Sequence, residues 1–105
     1  MQRELEATFL PDSPLDAAGA FMAFHLEHAR ALLARPDCTA LAIILPPAGH
    51  AHRDWRLALA RDLAREAAPA RVNVVSGPPG ERREACLGFL ADAPGVTGQY
   101  LVCHE

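Results

Sequence analysis

A three-layer α/β fold, with a mainly parallel sheet of about four strands, is what this sequence predicts. Three observations carry that expectation. Helical and extended stretches alternate along the chain, the connections between them are short, and the apolar spacing switches repeatedly between about 3.6 and about 2. The clearest switch lies at Pro69: Ala58 to Ala68 is apolar at helical spacing, and Arg71-Val72-Asn73-Val74-Val75 is a short β-branched strand. The order reads βαβαβαβ, which implies parallel strands joined by right-handed crossovers.

In chain order, Glu4-Leu5-Glu6-Ala7-Thr8-Phe9 alternates polar and apolar, placing Leu5, Ala7 and Phe9 on one face of a half-exposed edge strand. Ser13-Pro14-Leu15-Asp16 is a helix start, with Ser13 as cap, Pro14 in the first position and a carboxylate three residues after the cap. The helix is expected to run unbroken to Arg35, where Pro36 stops it. It is apolar nearly all round, with a polar stripe at Glu27, His28 and Arg30, so it should be buried on more than one side, the second by another protomer. Leu41-Ala42-Ile43-Ile44-Leu45 is a continuous apolar run, as in a central strand covered on both faces.

A second helix is expected from about His50 to Ala68. At about 100° per residue its core arc holds Leu57, Leu59, Ala60, Leu63, Ala64 and Ala67, while Asp54, Arg61, Asp62 and Arg65 face outward. Trp55 falls at the polar edge and reads as an exposed contact residue. Ser76-Gly77-Pro78-Pro79-Gly80 is a loop, Glu81 to Ala91 a third helix, and Gln99 to Cys103 the closing strand.

Bulk properties exclude several classes. The 105 residues are one domain, 1–105, with a single core but well short of a complete dinucleotide-binding enzyme. The net charge is −3 and the arginines are interspersed with carboxylates, so no nucleic-acid partner is expected. No run approaches the roughly 20 apolar residues that span a bilayer, so no membrane is expected and the default location is the cytoplasm. Cys38, Cys86 and Cys103 are odd in number and lack metal-knuckle spacing, so reduced buried thiols are expected.

The wording of Ala58 to Val75 is specific. An Ala/Leu-rich helix ending in Arg65-Glu66, then Pro69, then Arg71-Val72-Asn73, resembles the late part of the short-chain dehydrogenase/reductase family. Phe89-Leu90-Ala91-Asp92 and Val96-Thr97-Gly98-Gln99-Tyr100-Leu101-Val102 resemble its last helix end and last strand. The likeness covers roughly the last half of the chain and, more loosely, all of it. It implies the C-terminal half of a Rossmann-like oxidoreductase fold.

The family's chemistry does not come with it. A full member has a glycine-rich phosphate loop after an early strand, and the seven glycines here make no such set. On the family pattern the catalytic tyrosine position falls at Gly49 and the lysine position at Arg53, with Pro46-Pro47 where the serine is expected. The chain has no lysine, and its one tyrosine, Tyr100, is in the last strand. Gly49 cannot exchange a proton, so no catalytic residue, cofactor-binding residue, cofactor or metal is expected of the isolated chain. Gly77-Pro78 stands where the family has Pro-Gly, and Cys103-His104-Glu105 replaces its acidic-glycine tail. These departures fall at catalytic or nucleotide-binding positions, while the words that set the fold survive.

Two functional readings follow. In the first, the chain is a non-catalytic relative acting through association, as a homo-oligomer or on a full-length dehydrogenase-like subunit. Its interface candidates are Phe21, Phe24, Trp55, Leu59 and Tyr100, because the resemblance implies pairing through the first two helices and through the last helix and strand. In the second, it is a small oxidoreductase-like enzyme or ligand-binding protein with a pocket at the carboxyl ends of the strands, near Pro46, Pro47, His50, His52, Arg53, Ser76 and Gly77. His50 and Asp54 stand four apart and could orient an imidazole; a metal would need a third ligand, such as His25, His28 or His104. Against this, the histidines read as solvated, Ser76 as a turn residue, Asp62 with Glu66 as an outer charged stripe, and Arg82-Arg83 as a solvated helix turn.

Overall fold

A computed structural model of the chain describes residues 1–103. Its elements are β1 (Gln2–Glu6), α1 (Pro14–Phe24), α2 (Leu26–Leu33), β2 (Ala40–Leu45), a 3₁₀ turn (His50–His52), α3 (Arg53–Ala67), β3 (Arg71–Ser76), α4 (Glu81–Ala91) and β4 (Tyr100–Val102). The four strands form one parallel sheet in the order β1-β2-β3-β4, so strand order equals chain order.

Local chemistry explains most element ends. The Ser13 hydroxyl accepts from the Asp16 amide at 3.0 Å, capping α1 behind Pro14. The expected unbroken first helix is instead two. His25, at φ −125° and ψ −22°, leaves helical geometry, and α2 starts afresh after it. Each piece then turns a small apolar face to the sheet: Ala17 and Phe21 from α1, Ala29 from α2. Leu5 and Ala7 of the first strand are buried as their alternation predicts, but Phe9 is 89% exposed. Ladder bonding reaches only the Ala7 amide, which donates to the Ile44 carbonyl, so alternation beyond that point no longer reports a sheet face.

β2 and β3 are interior strands, and all six residues of β2 are buried. Their alternate side chains feed two separate cores. On one face Leu41, Ile43, Leu45, Val72 and Val74 meet Phe21, Ala29, Leu59, Ala60 and Leu63 of the first three helices. On the other, Ala42, Ile44 and Val75 meet Leu87 and Leu90 of α4. Three steps in the same direction across a parallel sheet, two over one face and one over the other, cannot share a hand. The expectation of right-handed crossovers throughout is therefore corrected: the β3–α4–β4 connection has the opposite hand to the two before it.

β4 is short and is held by more than its ladder. Asn73 is buried; its Nδ2 donates to the Val96 carbonyl at 3.0 Å and its Oδ1 accepts from the Gln99 amide at 3.0 Å. The Cys103 carbonyl passes so close to Gly77 that an added Cβ would sit 2.8 Å from it, which requires glycine there. Cys86 and Cys103 form a disulfide, correcting the expectation of three reduced thiols; only Cys38 is free, and it is buried. The two meet because α4 lays Cys86 beside the end of β4, and closing a 17-residue separation contributes about 3 kcal/mol on loop-entropy grounds. Among the described residues no helix is long and apolar enough to cross a membrane.

Candidate functional site

Two depressions open at the carboxyl ends of the strands, one on each side of the Pro46-Pro47 turn. The first, about 200 Å³, is lined by Leu10, Pro11, Asp12, Pro46, Pro47, Ala48, Gly49, His52 and Arg56. The second, about 310 Å³, is lined by Pro47, Ala48, Ser76, Gly77, Pro78, Val102 and Cys103. The residues predicted for one pocket are thus divided: His52 and Ser76 lie in different depressions and share only the Pro47-Ala48 wall. His50 and Arg53 are exposed on the 3₁₀ turn and the start of α3 and line neither.

His52 is buried, and both its ring nitrogens are engaged. The Trp55 indole N–H donates to Nδ1 at 3.0 Å, and an indole can only donate, so Nδ1 is the acceptor. Nε2 therefore carries the hydrogen and donates to the Asp12 carbonyl at 2.9 Å. No lone pair is left for a metal or for proton abstraction. Ser76 is buried too, and its hydroxyl accepts from Arg56 Nη1 at 3.2 Å. A guanidinium takes no proton, so Ser76 has no base beside it here. Gly77 packs against Cys103.

The residue that organises this end of the sheet is Arg56, absent from every sequence-based candidate set. It is 1% exposed and sits where the first turn of α3 meets the sheet. Nη1 donates toward the Pro46 carbonyl at 3.0 Å, the Ser76 hydroxyl at 3.2 Å and the Tyr100 hydroxyl at 3.2 Å. Its guanidinium carbon lies 5.5 Å from the Trp55 ring centre and 5.9 Å from that of Tyr100. Nε is buried without an acceptor, and none of the described carboxylates forms an ion pair with this cation. The spacing did carry a signal: Arg56 stands three before Leu59, four before Ala60 and seven before Leu63, all core residues.

A third depression, about 330 Å³, runs between the α1–α2 pair and α3, with Met22, Leu26, Trp55, Leu59 and Leu63 among its walls. Of the interface candidates, Phe21 and Leu59 are buried in this chain's own core, and Trp55 is half-buried rather than exposed, because Phe21 packs 6.3 Å from its ring and His52 takes its N–H. Tyr100 is half-buried with its hydroxyl on Arg56. Phe24 is 78% exposed, and Leu15 and Met22 on the same helix are exposed with it.

The outer charged stripe is a set of ion pairs. Arg30 of α2 holds Glu66 of α3 through two hydrogen bonds of 2.8 Å, and Arg65 pairs with Asp62. Those bonds from the Arg30 guanidinium hold the Glu66 carboxyl below its ordinary value, with burial opposing the shift. A depressed carboxyl contributes stability above its unfolded pKa, and that contribution is lost as pH falls through the folded value. A carbon-detected NMR titration should find Glu66 titrating below the ordinary glutamate value, and Arg30→Met should return it to that value. Arg83 is likewise not a solvated turn residue: it pairs with Glu6 at 3.1 Å.

Among the described residues no three His, Cys, Asp or Glu side chains come together as a metal site. His50 and Asp54 are both exposed; His104, named above as a possible third ligand, lies outside the described residues. Compared with known proteins, the chain matches the family described as SDR-like, short chain dehydrogenase-like protein, over residues 5–103. No curated protein and no solved structure matches it.

Proposed function

Because the chain belongs to the short chain dehydrogenase-like family, we propose that it keeps that family's scaffold without its hydride-transfer chemistry and acts by association, its α1–α3 face docking on a second copy of itself. The observation that carries this reading is the apolar groove between the α1–α2 pair and α3, on whose wall Met22 stands exposed, with Leu15 exposed seven residues before it on the same side of α1. A two-fold interface needs one patch that holds both a ridge and a hollow, and this face supplies both.

Loss of catalysis is supported at each position where the family's chemistry would act. Gly49 has no side chain and Arg53 is exposed to solvent. The Ser76 and Tyr100 hydroxyls do meet a cation, but Ser76 and Arg56 are buried and their bonds tie α3 to the sheet. The isolated chain is accordingly expected to give no heat on titration with NAD(H) or NADP(H).

The association test is solution mass by light scattering over a concentration series. The chain should run as a dimer, and Met22→Asp should weaken the dimer at least about tenfold, the loss of one buried apolar contact being worth roughly 1.5–3 kcal/mol. Met22 is outside the core, so the far-ultraviolet spectrum should not change. A monomer at every concentration would remove self-association from consideration. Trp55→Glu is unsuitable here, because it would break the His52 bond and disturb packing on Phe21.

A further inference from the structure

We infer that Arg56 is the anchor of a binding site for a small organic monocarboxylate, seated in the depression between the Pro46-Pro47 turn and the Leu10-Pro11-Asp12 segment. The site lies at the strand ends, away from the exposed α1 strip, and stands whether or not the chain self-associates.

A buried guanidinium stays charged, and desolvating it costs several kcal/mol unless an anion or a full set of acceptors compensates. Here neither compensation is complete. All three acceptors of Arg56 crowd on Nη1, which has only two hydrogens, while Nε is buried with none. The acceptors are a carbonyl and two hydroxyls, all neutral. A buried donor left unpaired in a native structure calls for a partner, and Arg56 lines a depression of about 200 Å³, room for an acid of a few carbons.

The surroundings select the ligand. The lining of the depression is more polar than apolar, Leu10 and the prolines supplying only a small apolar part, so the acid it suits is a short one, and a planar carboxylate matches the guanidinium fork. Arg56 is the only arginine lining the depression, so the site offers no second cation for a dianion. His52 is held by Trp55 and Asp12 and serves as wall rather than ligand. The Trp55 indole N–H, one bond from that wall, is a natural reporter.

The probes are sodium propionate and, separately, inorganic phosphate at matched ionic strength, added to the full chain while its indole N–H resonance and melting temperature are followed. Propionate should shift the resonance saturably and raise the melting temperature, and phosphate should do neither. Arg56→Met should lose both responses, read at a temperature where the variant is folded, since the Pro46 carbonyl and the Ser76 and Tyr100 hydroxyls lose their donor with it. If Arg56→Met does not fold, Arg56→Lys decides: it keeps the charge but not the fork, and affinity should fall tenfold or more. The inference is overturned if propionate gives no saturable response, if phosphate alone responds, or if either variant binds propionate as the parent does.

Discussion

Phe21→Ala should destabilise the chain by about 3–5 kcal/mol, whether it is monomeric or associated. Phe21 is fully buried and stands at the junction of α1, α3 and the sheet, its ring 6.3 Å from that of Trp55 and 5.5 Å from that of His25. Truncating it removes that contact area and opens a cavity that β2, buried along its whole length, cannot collapse to fill. A domain of this size has roughly 5–15 kcal/mol in total, so the variant should be largely unfolded at temperatures where Met22→Asp is fully folded. Equilibrium denaturation of the two side by side checks this. Equal, small losses for both would mean that Phe21 is a surface contact and that the helix is placed wrongly.

Asn73→Ala should cost about 2–4 kcal/mol, although it deletes few atoms. The buried side chain bonds the Val96 carbonyl and the Gln99 amide, the segment that delivers the chain into β4. Alanine would leave both backbone groups without those partners. The loss should be local before it is global: hydrogen exchange at Gln99 and along β4 should accelerate well beyond that of β2. If exchange rose uniformly, the amide bonds would not be what anchors this edge. The prediction also explains one word of the family's pattern, since the asparagine between Val72 and Val74 is there for the loop.

Much of the architecture was readable because short-range chemistry set it. Pro69 separates α3 from β3, Pro36 lies just past α2, and Glu81 to Ala91 is helical at the bounds its pattern implies. The break at His25 was not readable, because no proline or glycine marks it and it arises from fitting two short faces to a twisted sheet. The reversed hand of the last crossover is also invisible locally, since α4 has the same kind of apolar stripe whichever face it covers. The strand ends failed differently. His52 and Ser76 are chemically versatile and were read as free, whereas tertiary contacts engage both. Arg56 was missed: arginine is seldom buried, although its spacing marked it as a core position. Cys86 and Cys103 were read as separate thiols because only the docking of α4 on the sheet brings them together.

Strand order equal to chain order has a consequence for how the sheet is made. In many α/β sheets a strand synthesised late must slot beside one synthesised first, and earlier elements wait for it. Here each new strand adds to the growing edge and never inserts between two already paired. A ribosome releasing the chain from its amino end can therefore build this sheet in the order of translation, β1 with β2, then β3, then β4. The last arrival is the three-residue strand, and it is the one secured at both ends, by Asn73 of β3 just before it and by the disulfide just after it.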